Sequence, residues 1–349
     1  MTGAADRTAA RIGLLAAYRM RWKRRRLLWR AFRSRHDLTS VQDRTGRIGA
    51  GDILVFMVLR NEAARLPHFL KYYRSLSVGH FLVVDNASTD DTAALLQDQE
   101  DVSLWRTKAS YRKARFGVDW TNWLLARHGH GRWCLVLDAD ELLVYPRMGE
   151  LDLPGLTGAL EARGQRLFGA LMLDMYPKGP LGTTEPGSET EPDPIKALPW
   201  FDAGPYRCRR QTPIRNLWVQ GGVRERVFFA DEPRRAPTLN KLPLIRWNRR
   251  WALVNSCHAM LPPDLNMAYD GPGGAQPSGV LLHSKFLPDI IERAREDTTR
   301  KQHFNDPRKF RDYYSKIETA PVLWHEDSVR YQGWKQLVEL GLMQDLDKK

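Results

Sequence analysis

Residues 52–62, DILVFMVLRNE, decide the fold, because Ile53 to Leu59 form an unbroken apolar run that stops abruptly at Arg60, Asn61 and Glu62. Seven apolar residues without alternation fit a parallel strand buried on both faces, since a half-exposed strand would show polar residues at every second position. Ala63 to Leu76 follows as a helix, with Leu66, Phe69, Leu70 and Tyr73 recurring on one face. Phe81 to Val84 reads as a second strand. Asp85, Asn86, Ser88 and Thr89 form the turn after it, and a helix capped by Asp90 or Asp91 runs to about Gln99. Cys134 to Leu137 and Ala170 to Leu173 supply further strands. This alternation predicts an α/β chain with a doubly wound, Rossmann-like sheet, whose ligands gather at the carboxyl ends of its strands.

Polar residues fall at those ends. The first strand ends in Arg60, Asn61 and Glu62, the second in Asp85 and Asn86, and the third in Asp138, Ala139, Asp140 and Glu141. Asp138 and Asp140 are two apart, so an extended backbone puts both carboxylates on one side. Hard oxygen ligands presented together suit Mg²⁺ or Mn²⁺, especially an ion that also holds substrate phosphates. Crowded carboxylates also repel, so Asp140→Asn is expected to leave the ligand-free protein as stable or more so. The glycine fingerprint of dinucleotide-binding folds and the P-loop motif do not occur at these strand ends, which counts against a dehydrogenase and against a P-loop NTPase.

Charge is local. Of 54 Lys and Arg and 41 Asp and Glu, residues 1–48 hold 13 basic and 3 acidic side chains, so this segment carries +10 of the net +13. A nucleic-acid footprint should spread over a folded surface, so nucleic acid is not the expected partner. Residues 18–35, YRMRWKRRRLLWRAFRSR, contain nine basic residues and no acid, with Tyr18, Trp22, Trp29 and Phe32 at helical spacing. Such a helix either lies on an anionic membrane surface or packs on its own domain with a solvated Arg face. Cys134, Cys208 and Cys257 are odd in number and widely spaced, as expected of reduced thiols in a cytoplasmic protein. The apolar runs are too short to span a bilayer, so the expected location is cytoplasmic or peripheral at the inner membrane face.

The ordered segments VFMVLRNEAARLPHFLKYYRSL, FLVVDNASTDDT and WCLVLDADELLVYP resemble a family 2 glycosyltransferase or its close relatives with the GT-A fold. The likeness covers residues 52–145 well and is looser to about 290. It implies transfer of a sugar from a nucleotide-diphosphate donor, with UDP-sugars favoured, to a glycan or glycolipid hydroxyl, and it favours inversion. It implies that Leu59, Arg60, Asn61 and Glu62 line the base pocket, that Asp85 contacts the base or ribose, and that Asn86 and Ser88 shape that wall. Asp138 would approach the ribose or, through water, a divalent cation (Mn²⁺ or Mg²⁺), and Asp140 would coordinate that cation. His283 and His258 are candidates to complete the metal shell, and Lys285 to neutralise the departing diphosphate. Asp174 and Glu225 are candidate bases for the acceptor hydroxyl. Lys108, Arg112 and Asp119 could lie beside the donor, although Trp120, Trp123, Leu124 and Leu125 read more simply as one buried helix face.

The expected organisation is a basic helical arm over 1–48, a GT-A-like domain over 49–290 and a helical extension over 291–349. Residues 177–205 hold eleven Pro or Gly and read as a long irregular loop beside the acceptor pocket. Gly221 to Arg226 could bring arginines to phosphates, or form a turn with surface charges. Trp324 and Trp334 are expected packing anchors. A sugar-nucleotide nucleotidyltransferase remains an alternative, although it usually has a glycine-rich loop where Arg60, Asn61 and Glu62 stand. A non-enzymatic adaptor would rest on the basic arm alone.

Overall fold

The computed structural model describes residues 12–183, 193–300 and 311–346. Its main sheet has nine strands: β1 (Thr39–Gln42), β2 (Ile53–Leu59), β3 (Val78–Asp85), β4 (Val102–Arg106), β5 (Trp133–Val136), β6 (Glu141–Val144), β7 (Leu167–Asp174), β8 (Asn240–Arg246) and β9 (Ser278–His283). The principal helices are α1 (Leu14–Ser34), α2 (Leu66–Ser75), α3 (Thr92–Gln97), α4 (Val118–His128), α5 (Leu153–Ala162), α6 (Ile290–Arg300) and α7 (Arg311–Glu318). Across the sheet the order is β1, β4, β3, β2, β5, β8, β7, β9, β6.

The first half is Rossmann-like. Strands β4, β3, β2 and β5 run parallel, and the chain moves outward from β2 through β3 to β4 before returning to β5 on the other side of β2. That reversal makes the carboxyl ends of β2 and β5 a topological switch point, where a crevice must open. Right-handed crossovers then place α4 on the opposite face from α2 and α3. Six of the seven β2 side chains are buried, each contributing about 1.5–3 kcal/mol if large and aliphatic.

The second half departs from a doubly wound parallel sheet. Strand β8 runs antiparallel between β5 and β7, and β6 leaves the Asp138–Asp140 turn to pair antiparallel with β9 at the far edge. Pro243 cannot donate to a ladder, and the β8–β7 register shifts between Lys241 and Leu244. Gly279 is needed in β9, since a Cβ there would come 2.6 Å from the Val144 carbonyl oxygen. This close approach holds β6 against the strand that ends in His283.

Helix α2 begins at Leu66, three residues later than the apolar pattern predicts. The backbone N–H groups of Glu62 and Ala63 donate instead to Thr92 Oγ1 (2.8 Å) and Asp90 Oδ2 (3.1 Å), and Pro67 sits in the first turn. Within 177–205, residues 184–192 lie outside the described residues. The described remainder is not all loop, since Pro194–Ala197 form a helical turn and Trp200–Phe201 a short strand. Trp324 packs edge-on against Trp200 at 6.0 Å, and Trp334 is half-buried against the core. Cys134 and Cys257 are buried and Cys208 half-buried, all three unbridged. Among the described residues no helix is long and apolar enough to cross a membrane.

Helix α1 packs on the domain. Leu27, Ala31 and Ser34 are buried, and Arg30 donates to Asp119 Oδ2 at 2.8 Å while Arg115 pairs with Oδ1 of the same carboxylate at 3.1 Å. Asp119 therefore ties α1 to α4 and does not face a donor. Trp120, Leu124 and Leu125 of α4 are buried as the apolar face predicts, whereas Trp123 is half-buried and meets the Phe32 ring of α1.

Candidate functional site

A cavity of about 260 Å³ opens at the switch point. Leu59, Arg60, Asn61 and Glu62 line it from the end of β2, Asn86 from the end of β3, and Asp138 and Asp140 from the turn after β5. His283 and Lys285 reach it from the end of β9. Chain segments more than two hundred residues apart in sequence thus meet at the sheet's carboxyl rim.

The two polar motifs after β2 and β3 are bound to each other. Asn61 adopts a left-handed conformation (φ 53°), which Asn tolerates better than most residues, and its Oδ1 accepts from Thr89 N at 2.8 Å. Its own N–H donates to Ser88 Oγ at 3.0 Å. Asp90 accepts from the N–H groups of both Ala63 and Thr92, whereas Asp91 makes no capping bond to α3. Ser88 and Asp85 do not line the cavity. Asp85 is fully buried, accepts from Ser88 N at 2.8 Å and faces Arg106 Nε at 3.3 Å. Its position corrects the expected direct contact with a ligand in this cavity, because Oδ1 shapes the turn and the buried Oδ2 faces Arg106 without a hydrogen bond among the described residues.

At the other rim, register sets the chemistry. His283 pairs across the sheet with Asp174 of β7 on one side and Glu141 of β6 on the other. Its Nδ1 lies 2.6 Å from Asp174 Oδ1 and its Nε2 3.1 Å from Asp140 Oδ2. Burial opposes a charged ring, but Asp140 and Asp174 outweigh it and push the His283 pKa up to about 9. Burial would likewise raise Asp140, and the His283 charge instead holds it well below the usual carboxylate range. Asp174 is buried between His283 and Arg224, whose Nε donates at 2.6 Å. It does not line the cavity and is a positioning residue for the imidazole, not a base open to an acceptor.

Glu225 also lies outside the cavity, in a bidentate pair with Arg207, so neither expected base reaches the site. Arg224 and Arg226 turn to Asp174 and Asp202 instead of to phosphates. His258 is excluded from the metal group as well. Its Nδ1 faces the Asn240 carbonyl oxygen, and burial drives its pKa down to about 4. Among the described residues no group of three or more His, Cys, Asp or Glu side chains is arranged to hold a metal ion. At the cavity, Asp140 and His283 lie 3.1 Å apart.

Several residues at the site escaped the sequence reading. Lys241 Nζ lies 2.8 Å from Asp138 Oδ2 and also bonds Glu141 Oε1. Burial acts to lower its pKa, but the two carboxylates outweigh that and raise it well above the ordinary range. A lysine inside the apolar strand NKLPLIR was the available signal, since buried lysines require partners. Helix α6 forms a further wall. Arg293 forks onto Glu62, Glu296 receives Asn61 Nδ2 at 3.3 Å, and Asp289, just before the helix, is gripped twice by Arg65 at 2.8 Å. Burial still raises the Glu62 pKa against the pull of Arg293 and Arg65. Ile290, Arg293, Ala294 and Glu296 of α6 and Tyr314 of α7 therefore line the cavity, within or beside the segment expected as a C-terminal extension. A more apolar cavity of about 190 Å³ adjoins it through Arg65 and Ala139, bordered by Phe69, Leu142, Pro194 and Leu287.

A scan against protein-family models finds no match to this chain, and a search of curated proteins finds none.

Proposed function

We propose that this chain is a glycosyltransferase of GT-A type, moving a sugar from a nucleotide-diphosphate donor to an acceptor hydroxyl. The observation that carries the reading is the Asp140–His283 pair, 3.1 Å apart, in a cavity whose wall also holds guanidinium and ammonium groups. Among the described residues, the buried Nε atoms of Arg60 and Arg65 lack a hydrogen-bond acceptor. Both residues line the cavity, and an acceptor-rich ligand such as a diphosphate would satisfy them.

The pair fits a divalent cation that arrives with the donor, because one carboxylate and one imidazole leave most coordination positions to phosphate oxygens and water. Such an ion, when bound, would neutralise charge on the diphosphate leaving group. Asp174 holds the His283 ring so that Nε2 faces Asp140, and Lys285 at the same rim would bind the leaving phosphates. Lys241 keeps the Asp138 carboxylate at the rim, where it can accept from a ribose hydroxyl. Asn61, Asn86 and Leu59 would receive the base. The adjoining apolar cavity bordered by Pro194 is the place for an acceptor glycan or glycolipid.

The test is a thermal-shift screen with UDP-, GDP-, TDP- and CMP-sugars, with and without Mn²⁺, followed by measurement of nucleotide release. A donor should stabilise the protein more with the ion than without it, and free nucleotide should accumulate with that donor. If no sugar nucleotide binds under either condition, the proposal fails. Consumption of a nucleoside triphosphate and a sugar phosphate, with pyrophosphate released, would replace it with the nucleotidyltransferase reading.

A further inference from the structure

We propose that the outward face of α1 docks on an anionic bilayer surface. The helix is sided twice. At 100° per residue, Leu27, Ala31 and Ser34 share one buried face, with Leu27 packed on Ala252 and Leu261, while Tyr18, Trp22, Trp29 and Phe32 form the opposite stripe. Those four rings are 57%, 51%, 59% and 43% exposed, and Leu14 and Leu15 extend the stripe at the amino end. Arg21, Arg25, Arg26 and Arg33 lie within or along it, all exposed.

The inner face already satisfies the packing of α1 on its own domain, through Leu27 and Ala31 and through the Arg30–Asp119 bridge. Self-packing accounts for Phe32, whose ring meets Trp123 of α4 edge-on at 6.0 Å, but leaves Tyr18, Trp22 and Trp29 unexplained. A contiguous exposed stripe of large rings, unlike single exposed hydrophobics, marks an interaction surface. Tyr and Trp are suited to the headgroup level, where a ring is half in hydrocarbon and half wet. The guanidinium of Arg25 lies 5.1 Å from the Trp22 ring centroid and that of Arg35 lies 3.5 Å from Phe32, so charge and ring meet a surface at the same depth. Arg21, Arg25, Arg26 and Arg33 on this face, with no acidic residue between 18 and 35, complement anionic headgroups. Nucleic acid fits less well. Leu14, Leu15, Trp22 and Trp29 have no partner on a phosphate backbone.

The inference is independent of the proposed chemistry and is tested on the full chain by vesicle flotation. Vesicles of phosphatidylcholine alone should leave the protein in solution, whereas vesicles containing phosphatidylglycerol should carry it, less so as salt rises. Trp22→Ala with Trp29→Ala should lower the partition coefficient about tenfold, and each Arg→Gln at Arg25 or Arg26 about fivefold. These side chains are exposed, so the melting temperature should not move, which separates lost docking from lost folding. Equal binding to neutral and anionic vesicles, or no binding to either, overturns the proposal. So does salt-sensitive binding to single- or double-stranded nucleic acid that displaces the vesicles and survives the Trp substitutions.

Discussion

The Nε2 atom of His283 lies 3.1 Å from Oδ2 of Asp140, and 143 positions of sequence separate the two residues. They form an ion pair in the ligand-free protein, the imidazolium and carboxylate each stabilising the other. A divalent cation entering with a diphosphate would have to replace the proton that now bridges them.

Asp140→Asn should therefore abolish the enhancement of nucleotide binding by Mn²⁺, measured by calorimetry with and without EDTA. Carboxylate crowding predicted a ligand-free melting temperature that holds or rises. The ion pair reverses that sign, so the melting temperature should fall. Full metal-assisted nucleotide binding by Asp140→Asn would remove the residue from the site.

The His283 pKa gives a second expectation. It is raised to about 9 in the folded protein, so its contribution to stability is fully present below the ordinary histidine value and is lost as pH rises through 9. Chemical denaturation in EDTA should show stability declining between roughly pH 6.5 and 9. His283→Gln should flatten that slope. An unchanged slope in the variant would assign it to other groups.

Lys241→Met should be severely destabilising, by about 3–5 kcal/mol, because it leaves the Glu141 carboxylate buried without its cation. Adding Glu141→Gln should recover a substantial part, since the buried charge is then gone as well. Urea titrations of both singles and the double variant read the coupling directly. Strict additivity would refute the buried pair as the source.

For Asp85→Ala the expected loss is stability, about 1.5–3 kcal/mol for a charged hydrogen bond at a buried turn, rather than nucleotide affinity alone. Hydrogen exchange should rise at Ser88 and across the loop it bonds. A variant with native exchange and selectively weakened nucleotide binding would return Asp85 to the ligand site.

The strands β2, β3 and β5 were readable because each is a short apolar run ending in polar residues, and local periodicity needs no partner to be recognised. The crevice at the ends of β2 and β5 followed from the same pattern, with Arg60, Asn61, Glu62, Asp138 and Asp140 at its rim. The direction of β8, the far-edge position of β6 and the folding of α6 over the rim were not readable. Each depends on pairing across long stretches of chain, where pattern gives no register.

Side-chain roles divided along the same line. Residue types with the right chemistry were visible at 85, 138, 140, 174, 258 and 283, but whether each faces a ligand or a neighbour is a question of distance. Asp138 and Lys241 stand 103 residues apart and meet at 2.8 Å. Arg224 reaches Asp174 across 50 residues, and that contact turns a candidate base into a buried support for His283. Charge and polarity are properties of a residue and are legible singly. Burial and partnership are properties of the folded chain, because only packing removes water and brings the counter-charge within reach.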